Sequence, residues 1–191
     1  NIFYSYKWGD YWADRGDKKK YANKNLYESL SAYGIGLHRH NSEIEQELRK
    51  YSKNKIDFTF TPHLSPMFRG ILSTLYIELK HGFTINKAHK MLKKFYKNNR
   101  FINILNIDSL VSTNDVINTN YCNISLCRTH DKSKIIVLSA IDNLIKGGAG
   151  QAIQNMNMKF NFNKYEGLNW KKSIYLYLFY FQLAHQILRI I

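Results

Sequence analysis

From Gly70 to Lys80 the side chains alternate, with Ile71, Ser73, Leu75, Ile77 and Leu79 on one face. A pleated strand sends successive side chains to opposite faces, so this spacing predicts a strand with one buried face. From Thr84 to Tyr96 the period changes. Ala88, Met91, Leu92, Phe95 and Tyr96 form a stripe at helical spacing, and Lys87, Lys90, Lys93, Lys94 and Lys97 form a basic face for solvent. Ile56, Phe58 and Phe60 alternate with Asp57, Thr59 and Thr61, and residues 101–105, 121–127 and 134–140 give three further strands. Pro62 and Pro66 each lack a backbone donor, so His63 and Leu64 are expected to be presented between them rather than paired in a ladder. His63 is read as structural. The glycines at 147–150 open a last helix through Ala152, Ile153 and Met156.

A chain of 191 residues fits one domain, and 45% hydrophobic residues with 14 tyrosines suffice for a sizeable core. The formal charge of +14 invites a nucleic-acid reading. The cations are scattered, apart from Lys18, Lys19 and Lys20, and the richness in Lys, Asn, Ile and Tyr matches A/T-rich codons. No nucleic-acid partner is expected, and a basic binding module stays the non-enzyme alternative. Cys122 and Cys127 stand five apart in a predicted strand, on opposite faces, which argues against a disulfide between them. Residues 1–21 contain no apolar signal segment, so a cytoplasmic location is expected, with an organelle left open.

Residues 37–48, Leu-His-Arg-His-Asn-Ser-Glu-Ile-Glu-Gln-Glu-Leu, concentrate the chemistry. Asn41 or Ser42 is expected to cap a helix, with Ser42 to Glu45 as a capping box and Ile44, Leu48 and Tyr51 as its docking stripe. Gly34 and Gly36 lead extended into the histidines. His38 precedes the helix N-terminus, whose partial positive charge disfavours imidazolium by ~0.3–1 kcal/mol when exposed. A histidine held near neutrality both gives and takes a proton.

The stretch resembles the His-Arg-His-x-Pro-Glu-Ile signature of the N-acetyl-gamma-glutamyl-phosphate reductase family. Residues 60–71 (Phe-Thr-Pro-His-Leu-Ser-Pro-Met-Phe-Arg-Gly-Ile) and 140–157 (from Ala-Ile-Asp-Asn-Leu-Ile-Lys-Gly-Gly-Ala-Gly) resemble the same family in the same order. The resemblance covers roughly residues 33–168. With the element pattern, it implies an α+β fold: a mixed, mostly antiparallel sheet with helices on one face. This is like the C-terminal domain of glyceraldehyde-3-phosphate and semialdehyde dehydrogenases.

The resemblance also implies an activity: NADPH-dependent conversion of an acyl phosphate to an aldehyde in arginine biosynthesis, through a cysteine thioester. His38 matches the catalytic histidine of the signature. Substrate-binding candidates are His40, Arg39 and Arg69, since arginine grips carboxylate or phosphate in a bidentate way. Alternation would turn Arg39 away from His38, favouring His40. A structural salt bridge is the other reading of Arg69. Asn143, Lys146 and Gly147 are the cofactor-binding candidates carried over for NADP, with close helix packing as the plain reading of the small residues.

The family's cysteine lies in an Asn-Pro-Gly-Cys context that this chain lacks, and Cys122 matches a strand stretch, not the nucleophile. The glycine-rich cofactor domain is missing as well. The chain alone is therefore expected to be inactive, a part of a longer, homo-oligomeric enzyme acting on a small acyl phosphate. A homologous semialdehyde dehydrogenase, such as that of the aminoadipate pathway, is the enzyme alternative. A zinc site from His38, His40, Cys122 and Cys127 lacks the tight cysteine knuckle, and no metal is expected.

Three stretches are distinguished: 1–25, atypical; 26–168, the catalytic and dimerisation domain; 169–191, an apolar tail. Read one base later, the codons for residues 8–12 would restore much of a glycine-rich family loop. Residues 1–12 are then either a reading-frame slip or a divergent aromatic loop. The tail is interrupted by Gln182, His185, Gln186 and Arg189, and a spanning helix needs ~20 mostly apolar residues, so no membrane partner is expected.

Overall fold

A computed structural model describes the main chain of residues 2–8 and the main chain and side chains of residues 29–52 and 56–168. The expectations for residues 9–28 and for the tail 169–191 fall outside the described residues.

Seven strands form one sheet, in the order β2-β3-β1-β4-β7-β6-β5. The strands are β1 (Ile2–Trp8), β2 (Ser31–Ala32), β3 (Phe58–Leu64), β4 (Ile71–Glu78), β5 (Ile102–Ile104), β6 (Cys122–Arg128) and β7 (Lys134–Ile141). The helices are α1 (His40–Tyr51), α2 (Ile85–Tyr96) and α3 (Gly150–Lys159), the last entered through a π-helical turn at Ile145–Ala149. β1 runs parallel to β3 and β5 parallel to β6, while the other four neighbouring pairs are antiparallel. The fold is therefore α+β with a mixed, mostly antiparallel sheet.

The alternation in β4 is realised as expected. Ile71 and Ser73 are buried, while Tyr76 and Glu78 on the other face are exposed. β4 pairs with β7 along its whole length, from Ile71 against Ile141 to Glu78 against Lys134. Phe60, Leu64, Ile71, Leu126, Ile135 and Ala140 fill the core beside the sheet, with Phe101, Val116 and Leu168 closing it from the connections. Each large apolar side chain so buried contributes ~1.5–3 kcal/mol. Cys122 is buried, Cys127 half-buried, and both are free thiols.

Several local expectations are corrected. Residues 2–8 form a central strand although no period was legible there. His63 and Leu64 are paired after all, with Lys7 and Trp8 on one side and Ala32 and Ser31 on the other. Pro62 removes one donor but keeps its acceptor, which takes the Tyr33 N–H at 3.1 Å, so the strand runs through it. The approach to the histidines is a turn, not an extended lead. Gly34 and Gly36 both have positive φ, and the Leu37 N–H donates to the Gly34 carbonyl at 3.1 Å.

Helix α1 begins at His40, three residues earlier than a Ser42 cap requires. Ser42 Oγ instead donates to the Arg39 carbonyl at 2.9 Å, and no capping box forms. Its stripe docks only in part, for Tyr51 is 88% exposed. The stripe of α2 is similar. Ala88, Leu92 and Tyr96 are half-buried, whereas Met91 and Phe95 face outward with the lysines.

Candidate active site

The turn at 34–37 places His38 under the start of α1, where its surroundings are aromatic. The ring meets Tyr33, Phe60 and His40 edge-on, at centroid distances of 5.4, 5.3 and 4.7 Å. The His40 N–H donates to His38 Nδ1 at 3.2 Å. An amide N–H can only donate, so Nδ1 is the unprotonated nitrogen, and the neutral ring carries its proton on Nε2. This orphan donor of the helix end thus selects a tautomer that has a proton to give. His40 is half-buried beside His38, with its Nε2 3.9 Å from Glu43 Oε2, while Arg39 is exposed. Both residues are presented by a turn, so strand alternation does not decide between His40 and Arg39.

Gly34 is part of this arrangement. Its φ is +56°, and a Cβ there would lie 3.2 Å from His38 Cδ2. Gly34→Ala is expected to strain the turn and displace the imidazole, costing about 1–3 kcal/mol. Chemical denaturation together with the His38 ring resonances in an NMR spectrum checks this. Unchanged shifts and stability would show that the ring does not depend on the turn.

A second cluster lies where β4 starts and β7 ends. Asp142 is fully buried. Its Oδ1 accepts from Arg69 Nη2 at 3.1 Å, Leu144 N at 2.9 Å and Ile145 N at 3.1 Å. Its Oδ2 accepts from Asn118 N at 2.8 Å. Arg69 Nε lies 3.1 Å from Oδ2, near enough for an ion pair but out of line for a hydrogen bond. Arg69 Nη1 donates to Asn118 Oδ1 at 2.8 Å. Next along the chain, Asn143 Oδ1 accepts the Gly70 N–H at 2.6 Å. Gly70 has φ +113°, and a Cβ there would meet Thr113 Cβ at 2.9 Å, so the close entry into β4 requires glycine.

The turn beyond Asn143 carries Lys146, Gly147 and Gly148. Gly147 N–H donates to the Asp142 carbonyl and Ala149 N–H to that of Leu144, both at 2.9 Å. Gly147 and Gly148 are exposed. Lys146 Nζ donates to Gln154 Oε1 at 2.9 Å on α3 and lies 6.0 Å from the Phe101 ring centroid. Burial lowers its pKa, with Cys122 nearby acting in the opposite sense. Burial pushes the Cys122 thiol up, against a 3.4 Å contact with Ser139 Oγ and the charge of Lys146. A buried thiol held protonated is a poor nucleophile.

The two clusters sit at different heights on the sheet. Phe60, under His38, lies in register with Tyr4 and Leu75, whereas Leu64, Trp8, Ile71 and Ile141 form the row next to Arg69 and Asp142. The histidines and the two cysteines are further apart, with β1, β4 and β7 between β3 and β6. Among the described residues no group of three or more His, Cys, Asp or Glu is placed to hold a metal. No described helix is long and apolar enough to cross a membrane.

Residues 12–143 match the family described as semialdehyde dehydrogenase, dimerisation domain. The chain belongs to this family. The match takes in His38, Arg39, His40, Arg69, Asp142 and Asn143, and ends just before the Lys146 turn. Proteins named N-acetyl-gamma-glutamyl-phosphate reductase are similar to it. That of Clostridium botulinum is 48% identical over 142 residues, covering 74% of this chain and 41% of the relative. That of Staphylococcus saprophyticus is 43% identical over 143 residues, covering 75% and 42%. The chain therefore spans about two fifths of the length of these curated relatives. The crystal structure of aspartate semialdehyde dehydrogenase II from Vibrio cholerae shares the fold, with TM-score 0.60 and 14% identity over 84% of this chain and 54% of that one.

Within this semialdehyde dehydrogenase domain, sequence reasoning singled out His38, His40, Arg69 and Asn143 but passed over Asp142, Asn118, Tyr33 and Phe60. A signal for Asp142 existed: an acidic residue directly after an apolar strand needs a partner if it is buried. Asn118 had none beyond its residue type, since its positive φ of 62° becomes visible only in the fold.

Proposed function

We propose that this chain is the catalytic and dimerisation portion of an NADPH-dependent reductase that converts N-acetyl-glutamyl 5-phosphate to N-acetyl-glutamate 5-semialdehyde in arginine biosynthesis. The names of the relatives support this substrate class, and one observation carries the chemistry: the His40 N–H selects the Nε2–H tautomer of His38. A thiolate from a cysteine outside these 191 residues attacks the acyl carbon, and phosphate leaves. His38 delivers its Nε2 proton to the carbonyl oxygen as the thioester is reduced, and recovers it when the hemithioacetal collapses, breaking the C–S bond to free the aldehyde and the thiolate. His40 sits beside it for the anionic end of the substrate.

The turn at 143–148 fits a nicotinamide ring. Exposed main chain without side chains at Gly147 and Gly148 would let a flat ring approach closely, with Lys146 in the same turn. When bound, NADPH supplies the hydride. Lys146 and Gly147 would hold it from this side, and Asn143 would act indirectly, by tying the turn to Gly70. The dimerisation-domain match supports a homo-oligomer, and a cytoplasmic location is proposed with it.

The test is made on the complete parent protein, with N-acetyl-glutamyl phosphate generated in place and NADPH as the only reductant. The expected result is NADPH oxidation with one aldehyde and one phosphate released per NADPH. No oxidation, or a clear preference for the longer aminoadipate-type substrate, overturns the reading.

A further inference from the structure

We propose that Arg69 and Asp142 act together as a positioning pair, holding the 143–148 turn in the shape that seats the cofactor ring. This rests on the cofactor placement proposed above. It assigns Arg69 a role other than binding a substrate anion.

Three chain segments converge on the Asp142 carboxylate: the entry to β4 through Arg69, the turn before β6 through Asn118, and the exit of β7 through Leu144 and Ile145. Both oxygens accept, so the group fixes the direction in which the main chain leaves β7. The next two bonds of the turn, Gly147 N–H to Asp142 O and Ala149 N–H to Leu144 O, follow from that direction. Between them Gly148 takes φ −148° and ψ −110°, a local break in the helical path. Asn143 adds the cross-tie to Gly70, one residue from Arg69.

Arg69 is committed to this brace. Its Nη1 is bound to Asn118, its Nη2 to Asp142, and its Nε lies against the same carboxylate, with only 15% of the side chain exposed. An incoming phosphate would compete with a buried carboxylate already facing the guanidinium. The fork geometry matters, because a lysine reaches one acceptor where arginine reaches several.

Arg69→Lys in the complete parent protein is the test. The expected result is a Kd for NADPH about 10-fold weaker, as for a misplaced positioning group. Backbone amides of Gly147 and Ala149 are expected to exchange hydrogen about 10-fold faster, while Ser125 and Leu138, paired in the β6–β7 ladder, keep their protection. The KM for the acyl phosphate stays within about twofold. An unchanged NADPH Kd in a variant whose parent binds NADPH overturns this inference alone. A raised substrate KM with unchanged amides, or an equal loss of protection at all four amides, also overturns it. A parent that fails to bind NADPH removes the cofactor reading itself, and this inference with it. Should Arg69→Lys not fold, Asn118→Gly is read in the same way, since it removes the acceptor of Nη1 without strain at φ 62°.

Discussion

Alanine at His38 in the complete parent protein is expected to lower kcat/KM by about 10²–10⁴-fold, the range for loss of a general acid–base group. Two features of the ring give that expectation its form. The neutral tautomer is set by the His40 N–H at Nδ1, so the proton available for transfer is on Nε2. The edge-on contacts with Tyr33, Phe60 and His40 hold the ring plane and limit its rotation. Alanine removes the proton carrier and also the Nδ1 acceptor, so His38→Asn is the necessary companion. Its side-chain oxygen can take the His40 N–H in place of Nδ1, but it cannot exchange protons at neutral pH. Equal losses in both variants, with unfolding midpoints near that of the parent, identify proton transfer as what was removed. Recovery of activity in the asparagine variant would show that His38 only shapes the start of α1, and the acid–base role would be withdrawn.

The sheet was legible in the sequence wherever its strands have one buried and one exposed face. β4 announces itself by alternation, and α2 by the change of period after Gly82. Two kinds of feature were not legible. The first is a local rule overridden by pairing. Pro62 lies inside a strand because only its donor is lost, and Ser42 fails to cap because the chain turns into α1 at His40. The second is the partner of a charged group distant in the chain. Arg69 and Asp142 are 73 residues apart, and nothing local shows that the guanidinium is neutralised from within. The sequence left Arg69 between a substrate anion and a salt bridge, and the fold supplies the carboxylate. For His38 the motif pointed to the residue, while the tautomer needed the turn at Gly34 and the helix start at His40 to be seen.

Replacing Asp142 by alanine is expected to destabilise the chain by about 3–5 kcal/mol, the cost of removing one partner from a buried ion pair. For a chain of 191 residues a kcal/mol moves Tm by roughly 2–4 °C, so the shift is roughly 6–20 °C. The loss has two parts. Arg69 is left as a mostly buried cation, and the N–H groups of Asn118, Leu144 and Ile145 lose their acceptor. A cycle with Arg69→Met separates them. The double variant regains the part due to the stranded charge and keeps the part due to the unpaired amides, so it lies between Asp142→Ala and the parent. Asp142→Asn is expected to stay close to the alanine variant, although it is nearly isosteric. Both oxygens accept hydrogen bonds, so the amide nitrogen faces a donor in either orientation. Thermal unfolding of the five proteins, the parent, the three members of the cycle and Asp142→Asn, under one buffer condition measures these differences. An asparagine variant within about 1 kcal/mol of the parent would mean that the carboxylate charge and its second acceptor oxygen do not hold these three segments together.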